Sequence, residues 1–172
     1  YKLVEGQIKY LTQQGHKVYF VSSYCERVSQ FVRSEGGSYH AVAVEREISP
    51  IKDIISLAKI FFLLYKIKPD IVNASTPKAG LLFIIASKLS VIFRPKAIFT
   101  LRGLRSDTLI GRKYRIVKAM ERLTCYLADK VIVIAPSLRE HAVKEGILSQ
   151  PKSVVLGRGS SNGIDLDRFT NK

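Results

Sequence analysis

The sequence predicts an α/β fold, a parallel sheet with helices on both faces. Three observations predict it. Short apolar runs, such as KVYFVS at 17–22, AIFTL at 97–101 and KVIVI at 130–134, read as buried strands. Longer segments with apolar residues at helical spacing lie between them. Glycine or proline stands at most of the joints, at Gly15, Gly36, Gly37, Pro69, Pro95 and Pro136. Strands alternating with helices favour parallel pairing, because each crossover helix brings the chain back to the same end of the sheet.

In chain order, Leu3, Val4, Ile8 and Leu11 predict a helix over residues 1–14, closed by Gly15. A strand over 17–22 precedes a helix over 25–34 with Val28, Phe31 and Val32 inward, and Gly36-Gly37 leads into a strand over 38–44. Ser49-Pro50 opens a long helix to about residue 68. Its Leu57, Ile60, Phe61, Leu63, Leu64 and Ile67 suit a core position. Lys52, Lys59, Lys66 and Lys68 at its edges would also suit a membrane-surface helix; the core reading is preferred. Pro69 ends this helix, because a proline disfavours helical geometry in the residue before it.

Ile71-Val72 is a short strand, and Ser75 or Thr76 caps a helix that starts at Pro77 and runs to Leu89. After the strand at 97–101 come a loop holding Arg102, Gly103, Leu104 and Arg105, a helix over 111–127 and the strand at 130–134. A helix from Pro136 to residue 145 and a last strand at 153–156 follow. Residues 1–156 read as one domain, and 157–172, with Gly157, Gly159 and Gly163, as a linker. The chain opens on a helix with no strand before it, whereas the first strand of a doubly wound sheet usually lies at its centre. Met120 is the only methionine. The expectation is a strand upstream of Tyr1 in a processed or longer chain.

The chain of 172 residues carries 28 basic and 14 acidic side chains, a formal net charge of +14. Such an excess implies an anionic partner: nucleic acid, an acidic membrane surface or a phosphorylated substrate. No helix-turn-helix, RNA-recognition or zinc pattern supports specific nucleic-acid binding. Cys25 and Cys125 lack metal-type spacing and are expected to be buried free thiols. His16, His40 and His141 are isolated, so no metal site is predicted. The apolar run at 81–93 is interrupted by Lys88 and falls short of the roughly 20 residues that span a bilayer.

Two stretches draw functional attention. In the first, Asn73, Ser75, Thr76 and Lys78 lie where a strand's carboxyl end meets a helix N-terminus. The helix start offers N–H groups and partial positive charge to anionic or hydroxyl-rich ligands. An ordinary, well-capped turn has the same spacing. In the second, Arg115, Lys118 and Arg122 share one stripe of the helix 111–127, with Arg112 beside it. They form either a contact with an anionic membrane or a solvated face.

Five segments, taken together and in order, resemble the family 4 type of GT-B glycosyltransferases. Gly15-His16-Lys17-Val18 is similar to that family's "GHxV" opening, and residues 71–80 to its "DIVHxHTPKAG" segment. Phe99-Thr100-Leu101-Arg102-Gly103 is similar to its "xxTxHG" strand end. Glu121-Arg122 followed by Ala128-Asp129-Lys130-Val131-Ile132-Val133 resembles "ER…ADxVIVxS". Asn162-Gly163-Ile164-Asp165 with Arg168-Phe169 resembles "NGVDxxRF".

The resemblance covers nearly the whole chain. It implies the N-terminal, acceptor-side half of an enzyme with two Rossmann-like domains, the C-terminal half holding the donor. It implies a nucleotide-sugar as donor substrate, no cofactor and no metal, and a lipid-linked or saccharide acceptor. The most similar subgroup builds capsular and other surface polysaccharides in bacteria, at the cytoplasmic face of the membrane. Acceptor-binding roles would fall to Asn73, Ser75, Thr76, Lys78, Gly103 and Arg105, and a membrane contact to Arg112, Arg115, Lys118 and Arg122.

Arg102 departs from the family pattern, standing where many members have a histidine. Arginine stays protonated and cannot act as a base, but it can stabilise charge on a leaving diphosphate. Alone, the chain would be inactive or nearly so. The rival reading is a non-catalytic, basic Rossmann-like module that binds anionic lipid or nucleic acid.

Overall fold

The computed structural model describes residues 4–45 and 49–160. Two compact units divide the chain. One comprises Tyr1–Ala43 with Ser160–Lys172, the other Val44–Gly159.

The first unit holds α1 (Gln7–Gln13), β1 (Tyr19–Ser22), α2 (Glu26–Ser34) and β2 (Ser38–Ala41). Helix α1 starts later than its apolar spacing predicts, because Gly6 sits in the left-handed region at φ 77°. The Glu35 carboxylate accepts the Gly6 and Lys9 N–H groups at 2.8 and 3.3 Å, so the end of α2 caps the start of α1. Gly15 closes α1 as expected: its N–H donates to the Thr12 carbonyl and the His16 N–H to that of Leu11, both at 3.0 Å. A Cβ on Gly37 would lie 2.9 Å from Ile8 Cγ2 and 3.0 Å from Val32 Cγ1, so these helices approach where only glycine fits. Strands β1 and β2 pair in parallel, Tyr19 opposite Ser38. Cys25 is the N-cap of α2 and is exposed, against the expectation of a buried thiol.

The second unit runs α3 (Pro50–Ile67), β3 (Ile71–Ala74), α4 (Pro77–Leu89), β4 (Lys96–Leu101), α5 (Gly111–Leu127), β5 (Lys130–Val133), α6 (Pro136–Lys144) and β6 (Ser153–Val154). Its four strands form a parallel sheet in chain order, β3-β4-β5-β6, each step crossing through a helix. The expected parallel α/β organisation is present, with the strands of the described residues in two sheets. Helix α4 packs against α3, α5, β3 and β4. It comes close to the sheet at Gly80, where a Cβ would lie 2.9 Å from the ring of the buried Phe99. Ile84, Phe99, Leu101, Val131, Val133 and Cys125 make the centre of the core. Burial pushes the Cys125 thiol up to about 12, and the nearby Glu121 charge adds to that.

Two carboxylates fasten this sheet to its loops. Asp129 accepts the Ala97 N–H and the Lys88 ammonium, each at 2.8 Å, which joins the start of β5 to β4 and α4. Glu121, wholly buried on α5, accepts the Arg105 N–H at 2.7 Å and the Ser106 hydroxyl at 2.6 Å. Leu104 and Ser106 therefore point inward, while Gly103 and Arg105 are exposed.

Helix α3 differs most from expectation. Ser56, Ile60 and Leu64 are buried, yet Ile51, Ile54, Ile55, Phe62 and Tyr65 are exposed. The wide apolar face is really two faces, and only one meets the core. The segment at 161–172, with the "NGVDxxRF"-like residues and most of the expected linker, lies outside the described residues. Gly157 and Gly159 do take the left-handed angles expected of them, at φ 55° and 90°. Gly159 also packs on the residues just after β5: a Cβ there would lie 2.6 Å from the Ile134 carbonyl.

Glu121→Ala leaves two loop N–H groups and a hydroxyl without their acceptor, so it should destabilise the fold by about 3 kcal/mol in urea unfolding. A thiol titration should find one reactive cysteine in the native chain, Cys25, with Cys125 reacting only after denaturation.

Candidate functional site

The carboxyl ends of β3 and β4 lie side by side in the sheet, with Asn73 opposite Ile98 and Ala74 opposite Phe99. Ligands of open parallel sheets bind beyond these ends. The Asn73 side-chain oxygen accepts the Thr100 hydroxyl at 2.9 Å, which fixes the amide at the strand end. Thr76 is the N-cap of α4, with extended backbone at φ −115° and ψ 144°, and its hydroxyl makes no capping bond. Ser75 is half-buried and Thr76 exposed. The expected side-chain cap at Thr76 is thus absent.

Lys78 does not stand in solvent at the helix start. Its ammonium is buried and lies 2.6 Å from the Asp53 carboxylate of α3. Asp53 also accepts the Ser49 N–H at 3.1 Å, so one carboxylate serves the N-terminus of α3 and the first turn of α4. A paired, buried lysine is a positioning group before it is a ligand group.

Arg102 directly follows β4 and is half-buried. Burial lowers its pKa from the ordinary arginine value. Its neighbour Gly103 borders open space, with nothing within 4 Å of where a Cβ would be. The Arg105 side chain is exposed while its N–H is held by Glu121. Asn73, Thr76, Gly103 and Arg105 are therefore presented by two adjacent strand ends of one unit, with Arg102 half-buried beside them.

The basic helix divides. Arg112, Arg115 and Arg122 are exposed along with Ile116, Leu123 and Tyr126. Lys118 leaves this stripe. Its ammonium donates to Glu145 at 2.7 Å and to the Tyr114 hydroxyl at 2.9 Å. The hydrogen bond to Glu145 raises the pKa of Lys118, and the same bond lowers that of Glu145. His141 faces Asp107 at 3.0 Å, tying α6 to the turn at Ser106–Thr108.

Sequence reasoning gave no role to Thr100, Asp53 or Glu121. The signals were present. Thr100 is the one hydroxyl inside an apolar strand, and Glu121 is the only acid of α5. A polar group in a buried position needs a partner: Thr100 finds Asn73, and Glu121 finds Arg105 and Ser106.

Solved glycosyltransferases share this fold. One from Rickettsia africae ESF-5 superposes with a TM-score of 0.73 at 19% identity, over 98% of this chain and 41% of that one. MurG of Acinetobacter baumannii gives 0.60 at 12% identity, over 95% of this chain and 42% of that one. The chain thus matches one half of a GT-B architecture. Among curated proteins, the capsular polysaccharide biosynthesis glycosyltransferase CapM of Staphylococcus aureus is 37% identical over 97% of this chain and 43% of its own length. The UDP-Gal:alpha-D-GlcNAc-diphosphoundecaprenol alpha-1,3-galactosyltransferase of Escherichia coli is 30% identical over 72% of this chain and 31% of its own length. The chain therefore spans less than half the length of these relatives. The Glycosyltransferase Family 4 domain matches residues 3–168, and the resemblance seen in the five motifs holds along the sequence: this chain belongs to glycosyltransferase family 4.

Proposed function

We propose that this chain is the acceptor-holding, N-terminal half of a glycosyltransferase in bacterial surface polysaccharide assembly. The whole protein would transfer a hexose from a nucleotide-sugar to a lipid-linked or saccharide acceptor at the inner face of the membrane. The observation that carries the reading is the pair of strand ends, β3 and β4, presenting polar and cationic groups in a family 4 chain. The name of the Escherichia coli relative, whose acceptor is a diphosphoundecaprenol-linked sugar, supports a lipid-diphosphate acceptor.

In this reading Asn73, Ser75 and Thr76 meet acceptor hydroxyls, and Gly103 leaves room for the sugar to approach the backbone. Arg105 pairs with the acceptor's phosphate. Lys78 holds the first turn of α4 through Asp53. In the reaction an acceptor hydroxyl forms a bond to the anomeric carbon. The bond from that carbon to the donor's diphosphate breaks, and the electron pair leaves with the diphosphate. Arg102, always cationic, offsets that developing charge, while a base for the acceptor proton must come from another group. The donor's nucleotide is held by the C-terminal half of the whole protein. The exposed Arg112, Arg115 and Arg122 add attraction to anionic lipid, with Lys118 engaged by Glu145.

The chain should bind a short-chain prenyl-diphosphate saccharide saturably in calorimetry. Arg105→Ala should weaken that binding about tenfold, the loss of one charge-assisted hydrogen bond. Binding only to DNA of any sequence, lost in salt, would favour the basic-module reading instead.

In the whole protein, Arg102→Ala should lower kcat by about 10²–10³ and leave acceptor binding within about twofold. Equal losses in kcat and in acceptor affinity would make Arg102 a binding group rather than a charge stabiliser.

A further inference from the structure

Asn73 lies near the end of β3 with its side chain exposed, while Thr100, near the end of β4, is only 8% exposed. In the ladder Asn73 stands opposite Ile98. Thr100, two residues on, shares that face of the sheet and lies within reach on the diagonal. Its hydroxyl donates to Asn73 Oδ1 at 2.9 Å.

The direction of this bond follows from what the hydroxyl needs. A buried O–H proton requires an acceptor. Strand β4 lies between β3 and β5, so its own carbonyls serve the two ladders. Among the described residues the Thr100 side chain makes no hydrogen bond besides the one to Asn73. Turning the carboxamide over would give Thr100 a donor and leave its own proton without a partner. Oδ1 is therefore held inward. Nδ2, on the other branch of the carboxamide, is held away from Thr100 and has no partner among the described residues.

The surroundings have the same polarity. The Ser75 and Thr76 hydroxyls make no hydrogen bond among the described residues. The Arg105 side chain is exposed. The carboxylates contributed by α3 and α5 are taken up within the fold, Asp53 by Lys78 and the Ser49 N–H, Glu121 by the loop after β4. These two strand ends offer a ligand mainly hydrogen-bond donors, and an Asn73 held with Oδ1 inward adds two N–H groups to them.

We propose that Thr100 is a positioning residue for acceptor binding: it holds Asn73 with Nδ2 outward, to donate to an oxygen of the acceptor saccharide. The inference rests on the proposed acceptor role of the strand ends and adds which end of the amide the ligand meets. Asn73 then selects a group that accepts, a sugar hydroxyl or acyl carbonyl oxygen. It selects against a group that only donates, such as the ammonium of an amino sugar.

The test is calorimetric titration of the whole protein with a short-chain prenyl-diphosphate saccharide. Thr100→Val should weaken binding about fivefold, and Thr100→Ser, which keeps the hydroxyl, should bind within about twofold of the unaltered protein. Asn73→Asp should weaken binding at least about tenfold with unchanged thermal melting. Its carboxylate still accepts the Thr100 hydroxyl but sets an oxygen against the ligand's oxygen. Asn73 is exposed, so this variant carries the test even if Thr100→Val fails to fold. Thr100→Val/Asn73→Ala should bind as Asn73→Ala does, because Thr100 acts through Asn73. Full affinity in Asn73→Asp or in Thr100→Val, or additive losses in the double variant, would overturn the proposal and leave the acceptor reading in place. Absence of saccharide binding by the unaltered protein would overturn the acceptor reading and the proposal with it.

Discussion

The Glu121 carboxylate is the contact on which the proposed acceptor end of the second unit depends. A carboxylate without partners is costly inside a protein, and this one is wholly buried. Its partners come from the loop after β4: two backbone N–H groups, of Arg105 and Ser106, and the Ser106 hydroxyl. The loop is therefore closed down onto α5. Leu104 drops into the core, and Gly103 and Arg105 are left outside. The loop and its exposed side chains are held on the helix by one acid. Catalytic and binding groups gain from such support, because a misplaced donor loses most of its effect.

A second carboxylate does similar work across α3 and α4. Asp53 takes the Ser49 N–H at the start of α3 and the Lys78 ammonium at the start of α4. This ties the turn that carries Ser75 and Thr76 to the helix whose outer face is apolar.

Much of this was legible in the sequence, and the reasons differ by element. Strands β4 and β5 are short, β-branched runs with no helical alternative, so their positions were readable to within a residue or so. Helices α4 and α6 announced themselves with a proline at N1. Helix α1 was read too long because apolar spacing cannot show that Gly6 takes a left-handed angle. The role of α3 was half legible. Periodicity reveals that a helix is apolar all round, but which face meets the core depends on neighbours distant in sequence. The same limit applies to Lys78 and Lys118: composition counts their charges, and only the fold pairs them with Asp53 and Glu145. Family motifs located residues 71–80 and 99–103 correctly as strand ends, since such motifs record positions that the fold brings together.

The central claim is that acceptor chemistry occurs at the carboxyl ends of β3 and β4. The most direct measurement is amide hydrogen exchange of the chain with and without a short-chain prenyl-diphosphate saccharide. The account expects added protection concentrated at residues 73–79 and 102–106. Protection at the opposite ends of the strands, around residues 69–71 and 128–130, or none at all, would contradict it.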